Sequence, residues 1–194
     1  MLNEIILASK SEVRRQILIK HGINCQVEPS NVDEEPVKQS LIKEGATPEI
    51  ISKNLAELKA NKVSLKKKNE IVLGADSVID LEGKIISKPE NREDALEILK
   101  KLNGKDHYLI SSVCLSKNGK MVWHYSDRAK LTMKNFEILE LKDYLAKVTD
   151  KALYAYNVYQ IEGIGKDLFL KIEGNENTIM GLPIEKIKEY LKNL

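Results

Sequence analysis

Two serines and two adjacent arginines cluster where an apolar run ends. They are Ser9, Ser11, Arg14 and Arg15 in LASKSEVRRQIL, directly after EIILA at Glu4 to Ala8. A strand end that feeds a helix start leaves backbone N–H groups unpaired and presents the positive end of the helix dipole. Phosphate binds such ends readily. Serine hydroxyls add donors, and an arginine one turn into the helix offers a planar fork to phosphate oxygens. A plainer reading stands beside it, in which Ser11 only caps the helix and the arginines are solvated. The pattern GxxxxGK[ST] is absent, so this is no Walker-type loop.

Four other stretches carry residues of matching chemistry. In GADSVID, Asp76 follows the apolar run Ile71 to Leu73 and a Gly-Ala pair. An unpaired carboxylate buried there is costly, and a metal or a phosphate-bound lysine would offset that cost. Otherwise Asp76 caps a turn. Lys88 in SKP sits where a strand gives way to a loop, and VDEEP holds three acids from Asp33 to Glu35. Runs of acids are ordinarily solvated. In LAELKANK a helical wheel puts Lys59 at the edge of the apolar stripe and Lys62 nearer its middle, either snorkelling or facing a cleft. Acids and cations of this kind, converging on a phosphate-sized site, describe metal-assisted phosphoryl chemistry.

The elements that position these residues follow from the patterning. Glu4 to Ala8 reads as a buried strand, followed by a helix from Ser11 to the His21-Gly22 stop. Ile23 to Glu28 reads as a second strand, then PSNVDEEP as a polar loop. Pro48 to about Lys66 is a long helix with Ile51, Leu55 and Leu58 on one face. EIVLGADSVIDLEGKIISKP reads as two or three short strands around Glu82-Gly83. A helix over Asn91 to Leu102 ends at Asn103-Gly104. Two strands, Tyr108 to Ser116 and Met121 to Met133, then flank the hairpin pair Asn118-Gly119. Ile138 to Ala146 is helical, Val148 to Pro183 is irregular, and Ile184, Ile187 and Leu191 mark a closing helix. Strands alternating with helices around a central hairpin predict an α/β fold with a mixed sheet.

Composition narrows the function. The 194 residues carry 31 Lys and Arg against 29 Asp and Glu, and a formal charge of +2 gives no global pull towards nucleic acid or anionic membrane. The ten aromatics show no stacking motif for single strands. No stretch reaches the ~20 apolar residues of a membrane span, and the N-terminus does not read as a signal peptide. Cys25 and Cys114 are isolated, as in a protein kept reduced in the cytoplasm. The three histidines lack metal-ligand spacing. The length suits one domain over residues 1–194.

LASKSEVRRQIL, VDEE, LAELKA, LGADSVI, ISKP…ALEILKKLNGKDHYLISSV and GNENTIMGLPI, in that order, resemble the Maf family over nearly the whole chain. That family consists of nucleoside triphosphate pyrophosphatases, first described as septum-formation inhibitors. The resemblance implies an elongated two-lobed fold related to inosine-triphosphate pyrophosphatases, with a central cleft. It also implies a homodimer and hydrolysis of a nucleoside triphosphate to monophosphate and pyrophosphate with a divalent cation, Mg2+ or Mn2+. By that resemblance Ser9, Ser11, Arg14 and Arg15 bind phosphate, and Glu34 and Asp76 are the site acids and metal ligands. Asp76 is the proton acceptor, and Lys59 and Lys88 are the site lysines. Glu162 stands where many members have glutamine, and the stretch around it fits a branch that includes 7-methyl-GTP pyrophosphatases. The competing expectation is a non-catalytic nucleotide-binding regulator of cell division.

Overall fold

The computed structural model describes residues 4–193, with the backbone alone at 154–156. A seven-stranded mixed sheet runs in the order β2-β1-β3-β5-β6-β7, with β4 beside β3. Its strands are β1 (Ile5–Leu7), β2 (Cys25–Val27), β3 (Val72–Leu81), β4 (Lys84–Ile86), β5 (Asp106–Lys117), β6 (Lys120–Met133) and β7 (Phe169–Glu173). The helices are α1 (Glu12–Lys20), α2 (Glu35–Lys43), α3 (Pro48–Ser64), α4 (Arg92–Leu102), α5 (Ile138–Lys147), α6 (Asp150–Tyr156), α7 (Glu176–Ile179) and α8 (Ile184–Leu191). The predicted mixed α/β class holds, and Asn118-Gly119 joins β5 to β6 as the hairpin pattern requires.

β3 is the strand around which the molecule is organised. One of its edges pairs with β5 from Val72 to Asp80. Its other edge pairs with parallel β1 only at Val72 and Leu73, and with antiparallel β4 only at Ile79 to Leu81. Residues 74–78 on that edge therefore face a gap in the sheet. The two faces of β3 differ as well, because side chains alternate along a strand. Leu73 and Ala75 pack into a core with Ile17 and Leu18 of α1 and Ile184, Ile187 and Leu191 of α8. Val72 packs on the opposite face with Ala56, Ala60 and Val63 of α3. A third core joins Leu99 and Leu102 of α4, Leu141 and Leu145 of α5 and Leu131 of β6.

Several sequence expectations change. EIVLGADSVIDLEGKIISKP does form two strands, β3 and β4, around Glu82-Gly83, but the first is not short: it runs ten residues, because β5 pairs with it almost throughout. PSNVDEEP is a loop only to Glu34. The last two residues begin α2, which buries no residue and so left no apolar period to read. Its signal was Pro36 in the first helical turn. The stretch Val148 to Pro183 holds α6, a 3-10 turn at Ile164–Leu168, β7 and α7. On α3 the buried stripe is Ile51, Ser52, Leu55, Ala56, Lys59, Ala60 and Val63, so Leu58 lies off it and Lys62 is exposed. Lys62 donates instead to the Asn31 carbonyl at 2.8 Å. Ser52, Ala56 and Ala60 of that stripe are small, and a search for large apolar side chains passes over them.

Those small residues let α3 come close to β3. A Cβ added at Gly74 would collide with the Ala56 carbonyl oxygen and lie 2.7 Å from the Ala60 nitrogen. Both are backbone atoms that cannot swing away. Gly74→Ala is therefore expected to cost at least the ~1–3 kcal/mol of an overpacked core. Chemical denaturation measures that loss. A variant as stable as the parent would show that α3 does not rest on this contact.

Candidate active site

Asp76 lies two residues beyond Gly74 and so faces α3 too. One turn after Ala56 on α3 comes Lys59, whose ammonium reaches Asp76 Oδ1 at 2.8 Å and Glu34 Oε2 at 2.9 Å. Lys59 and Asp76 are buried, at 8% and 7% exposure, whereas Glu34 enters from the more open loop before α2. One lysine thus bridges the two predicted site acids. Ser52, also on α3, donates to the Asp76 carbonyl at 3.2 Å. The second carboxylate oxygen of Asp76, Oδ2, is buried without a partner. An ionised oxygen left so is costly.

The phosphate-like motif sits across the gap in β3. Ser11 caps α1, accepting from the Arg14 N–H at 3.3 Å. Ser9 Oγ accepts from the Ser11 N–H and from Arg14 Nη1, both at 3.2 Å. With both lone pairs so engaged, the Ser9 hydroxyl keeps its proton to donate. Arg14 fills the missing rung of the sheet. Ala8 N–H bonds the Leu73 carbonyl, and Arg14 Nη1 bonds the next carbonyl on that edge, Ala75, at 3.0 Å. Arg14 Nε donates to the Gly181 carbonyl at 3.0 Å, and Nη2 to Ser77 Oγ at 3.1 Å. Four of the five guanidinium N–H donors are thereby spent on the protein, against the expected open fork. Every acceptor is neutral, so the charge is left uncompensated by direct contact. Burial lowers the Arg14 pKa, opposed by Asp76 and Glu34, yet a guanidinium stays ionised.

Lys88 completes the cationic wall from the loop after β4. The residue is exposed but lies within the cleft, where loss of bulk water lowers its pKa, followed by repulsion from Arg14. Asp76 and Glu34 oppose that shift. Ser9, Ser11, Arg14, Glu34, Lys59, Asp76, Lys88 and Glu162 all line one cavity of about 810 Å3. Arg15 does not. It turns outward to pair with Glu12 at 2.9 Å, so of the two adjacent arginines only Arg14 reaches the cleft. Glu162 is exposed at the wall, with no hydrogen-bond or ion-pair partner among the described residues. Two cleft residues escaped sequence reading. Lys38, which donates to Ser87 at 2.6 Å, lies on the unrecognised α2. Ser77 is an ordinary strand residue in sequence, and only pairing reveals that it bonds both Arg14 and Ser111.

A divalent cation suits this donor set. The orphaned Asp76 Oδ2 and the partly open Glu34 carboxylate are hard oxygen ligands. No group of three or more His, Cys, Asp or Glu side chains converges among the described residues. Two carboxylates plus oxygens from water and phosphate describe how magnesium is ordinarily held.

Residues 4–194 match the family described as Maf-like protein. A nucleoside triphosphate pyrophosphatase of Pelagibacter ubique is 70% identical over 192 residues, covering 99% of this chain and 98% of the relative. A 7-methyl-GTP pyrophosphatase of Brucella abortus is 39% identical over 184 residues, covering 95% and 92%. Among solved structures, the Staphylococcus aureus Ham1 protein superposes with a TM-score of 0.52 at 13% identity, covering 98% of this chain and 99% of that one. A Coxiella burnetii HAM1 protein gives 0.51 at 13% identity over the full length of both. At such identity these likenesses speak for the fold alone. No helix among the described residues is long and apolar enough to cross a membrane.

Proposed function

This chain belongs to the Maf family, and from that premise we propose that it hydrolyses a nucleoside triphosphate between the α- and β-phosphates, giving the monophosphate and pyrophosphate. It is a hydrolase of phosphoric anhydrides, working as a single domain. The observation that carries the reaction is Asp76, which lines a cleft together with Arg14, Lys59 and Lys88 and whose buried Oδ2 has no donor among the described residues. A carboxylate oxygen with no donor is ready to orient a water and accept its proton. Lys59 holds the Asp76 carboxylate in place through the other oxygen. Arg14, Lys88 and the Ser9 and Ser11 hydroxyls hold the phosphate chain and meet the charge that grows on the leaving pyrophosphate. Glu34 and Asp76 would hold a magnesium or manganese ion, which supplies further neutralisation of phosphoryl oxygens when bound. A pyrophosphate-release assay with magnesium over a nucleotide panel tests the proposal. Release from a preferred nucleotide is expected, and no release from any would leave a nucleotide-binding regulator.

Glu162 favours a guanine-type base. An ionised carboxylate only accepts hydrogen bonds, whereas glutamine both donates and accepts. Guanine presents two adjacent donors, its ring N–H and exocyclic amine, which a carboxylate takes bidentately with charge assistance. A 7-methylated guanine is cationic and gains more. The Brucella abortus relative's name points the same way. Glu162→Gln is expected to shift kcat/KM from GTP and 7-methyl-GTP towards UTP and dTTP, by roughly tenfold for one charge-assisted contact. An equal loss on all four substrates would instead mark Glu162 as part of the metal site.

A further inference from the structure

His107 is a histidine that a core has no evident use for. It is the second residue of β5, is fully buried, and its Nδ1 has no well-formed hydrogen bond among the described residues. A phenylalanine would fill the place without that desolvation cost. Its one side-chain hydrogen bond is at Nε2, which lies 3.0 Å from the Tyr159 hydroxyl, and the Lys105 backbone is the only other polar group among the described residues that acts on the ring by hydrogen bonding. The ring is wedged between Tyr159 and Phe169, with centroids 5.7 Å and 5.8 Å away, and Tyr159 meets Phe169 edge-on at 4.8 Å. Burial pushes His107 down to about 4 against the opposing pull of Asp106 and the Lys105 backbone, so the ring stays neutral at ordinary pH.

Tyr159 is the inner anchor of a short segment that ends in the cleft. It lines the large cavity together with Gln160 and Glu162, and it also lines a neighbouring cavity of about 200 Å3. The segment is pinned on either side of Tyr159. Before it, the Tyr144 hydroxyl donates to the Val158 carbonyl at 2.9 Å. After it, the Gly163 N–H closes back on the Gln160 carbonyl at 3.2 Å, and Gly165 packs so tightly that a Cβ there would lie 2.6 Å from the Gln160 nitrogen. Tyr159 sits three residues before Glu162, which has no anchor of its own among the described residues. Where Glu162 stands is therefore decided by the backbone, which Tyr159 anchors from the core together with those two pins.

We infer that His107 is a positioning residue for base recognition, acting through Tyr159 on the segment that presents Gln160 and Glu162 to the nucleotide. The inference rests on the reading of the cleft as a nucleotide site, but not on turnover. The core gives up a fully satisfied side chain here and gains a fixed recognition loop.

The test is binding by the full chain of GMP, 7-methyl-GMP, UMP and dTMP, with inorganic tripolyphosphate as the base-free control. His107→Phe keeps the ring and removes the nitrogens, Tyr159→Phe removes only the hydroxyl, and His107→Gln retains a polar atom near Nε2. The two phenylalanine variants are each expected to bind the preferred monophosphate roughly tenfold more weakly, the scale of one lost hydrogen bond with its loop. They are expected to narrow the spread among bases while binding tripolyphosphate as the parent does. Where turnover is measured, the loss falls on KM rather than kcat. His107→Gln restores much of the preference, and the double phenylalanine variant is no worse than either single one. Base preference unchanged in Tyr159→Phe, or tripolyphosphate binding lost in step with the nucleotides, overturns the inference. So does a parent chain with no preference among the four. A parent that binds selectively but releases no pyrophosphate sinks the catalytic proposal and leaves this one standing.

Discussion

Asp76→Asn is expected to cut turnover at least ~100-fold, the ordinary contribution of a general base, while the protein stays folded. The amide is nearly the same shape. Its oxygen can accept from Lys59 in place of Oδ1, which turns the NH2 group to the position of the orphaned Oδ2. That position then donates where it had accepted, and it cannot take a proton from water. Breaking a buried ion pair commonly costs 3–5 kcal/mol because one charge is stranded (~4 kcal/mol at the midpoint). Here Lys59 keeps Glu34 at 2.9 Å, so the loss should be smaller. Single-turnover rates and denaturant midpoints separate the two effects. A variant that keeps more than about a tenth of the parental rate is incompatible with a general base, and Asp76 would then be no more than a ligand.

The local features of this site were legible and the long-range ones were not. Ser11 as a cap, the strand before it and the Asn118-Gly119 hairpin follow from adjacent residues, and the structure has all three. Lys59 read only as a lysine at the rim of a stripe. Its burial depends on Gly74, Ala56 and Ala60 bringing α3 onto β3, and those positions belong to two elements whose contact no spacing encodes. The long β3 was hidden because a glycine and an aspartate interrupt its apolar run. They are there because one face must admit a helix and the other end of that face must hold a charge. α2 was missed for a different reason: it buries nothing, and an exposed helix writes no hydrophobic period. Arg14 and Arg15 are alike in sequence, and only the gap in the sheet distinguishes them.

That gap makes Arg14 and Lys88 respond differently to the same truncation. Both are cleft cations, and removing either should lower kcat/KM by the ~1.5–3 kcal/mol of a charge-assisted contact, about 10- to 150-fold. Lys88 stands on an exposed loop, so Lys88→Ala should lower the denaturation midpoint less than Arg14→Ala does. Arg14 also ties α1 to the Ala75 carbonyl, the Ser77 and Ser9 hydroxyls and the Gly181 carbonyl. Ser9 keeps the Ser11 N–H and Ser77 keeps Ser111, but Arg14→Ala strands the Ala75 and Gly181 carbonyls in a partly buried place, at ~1–3 kcal/mol for each one that water cannot reach. A stability loss of about 2 kcal/mol or more is therefore expected with the loss of activity. Arg14→Lys restores the charge, but three donors on one point cannot serve four acceptors spread around a planar fork. It should regain part of kcat/KM and little of the stability. If Arg14→Ala abolished activity with an unshifted midpoint, the clasp would contribute nothing to the fold. If Lys88→Ala lowered the midpoint and spared kcat/KM, that lysine would be structural and the phosphate wall would be built from Arg14 and Lys59 alone.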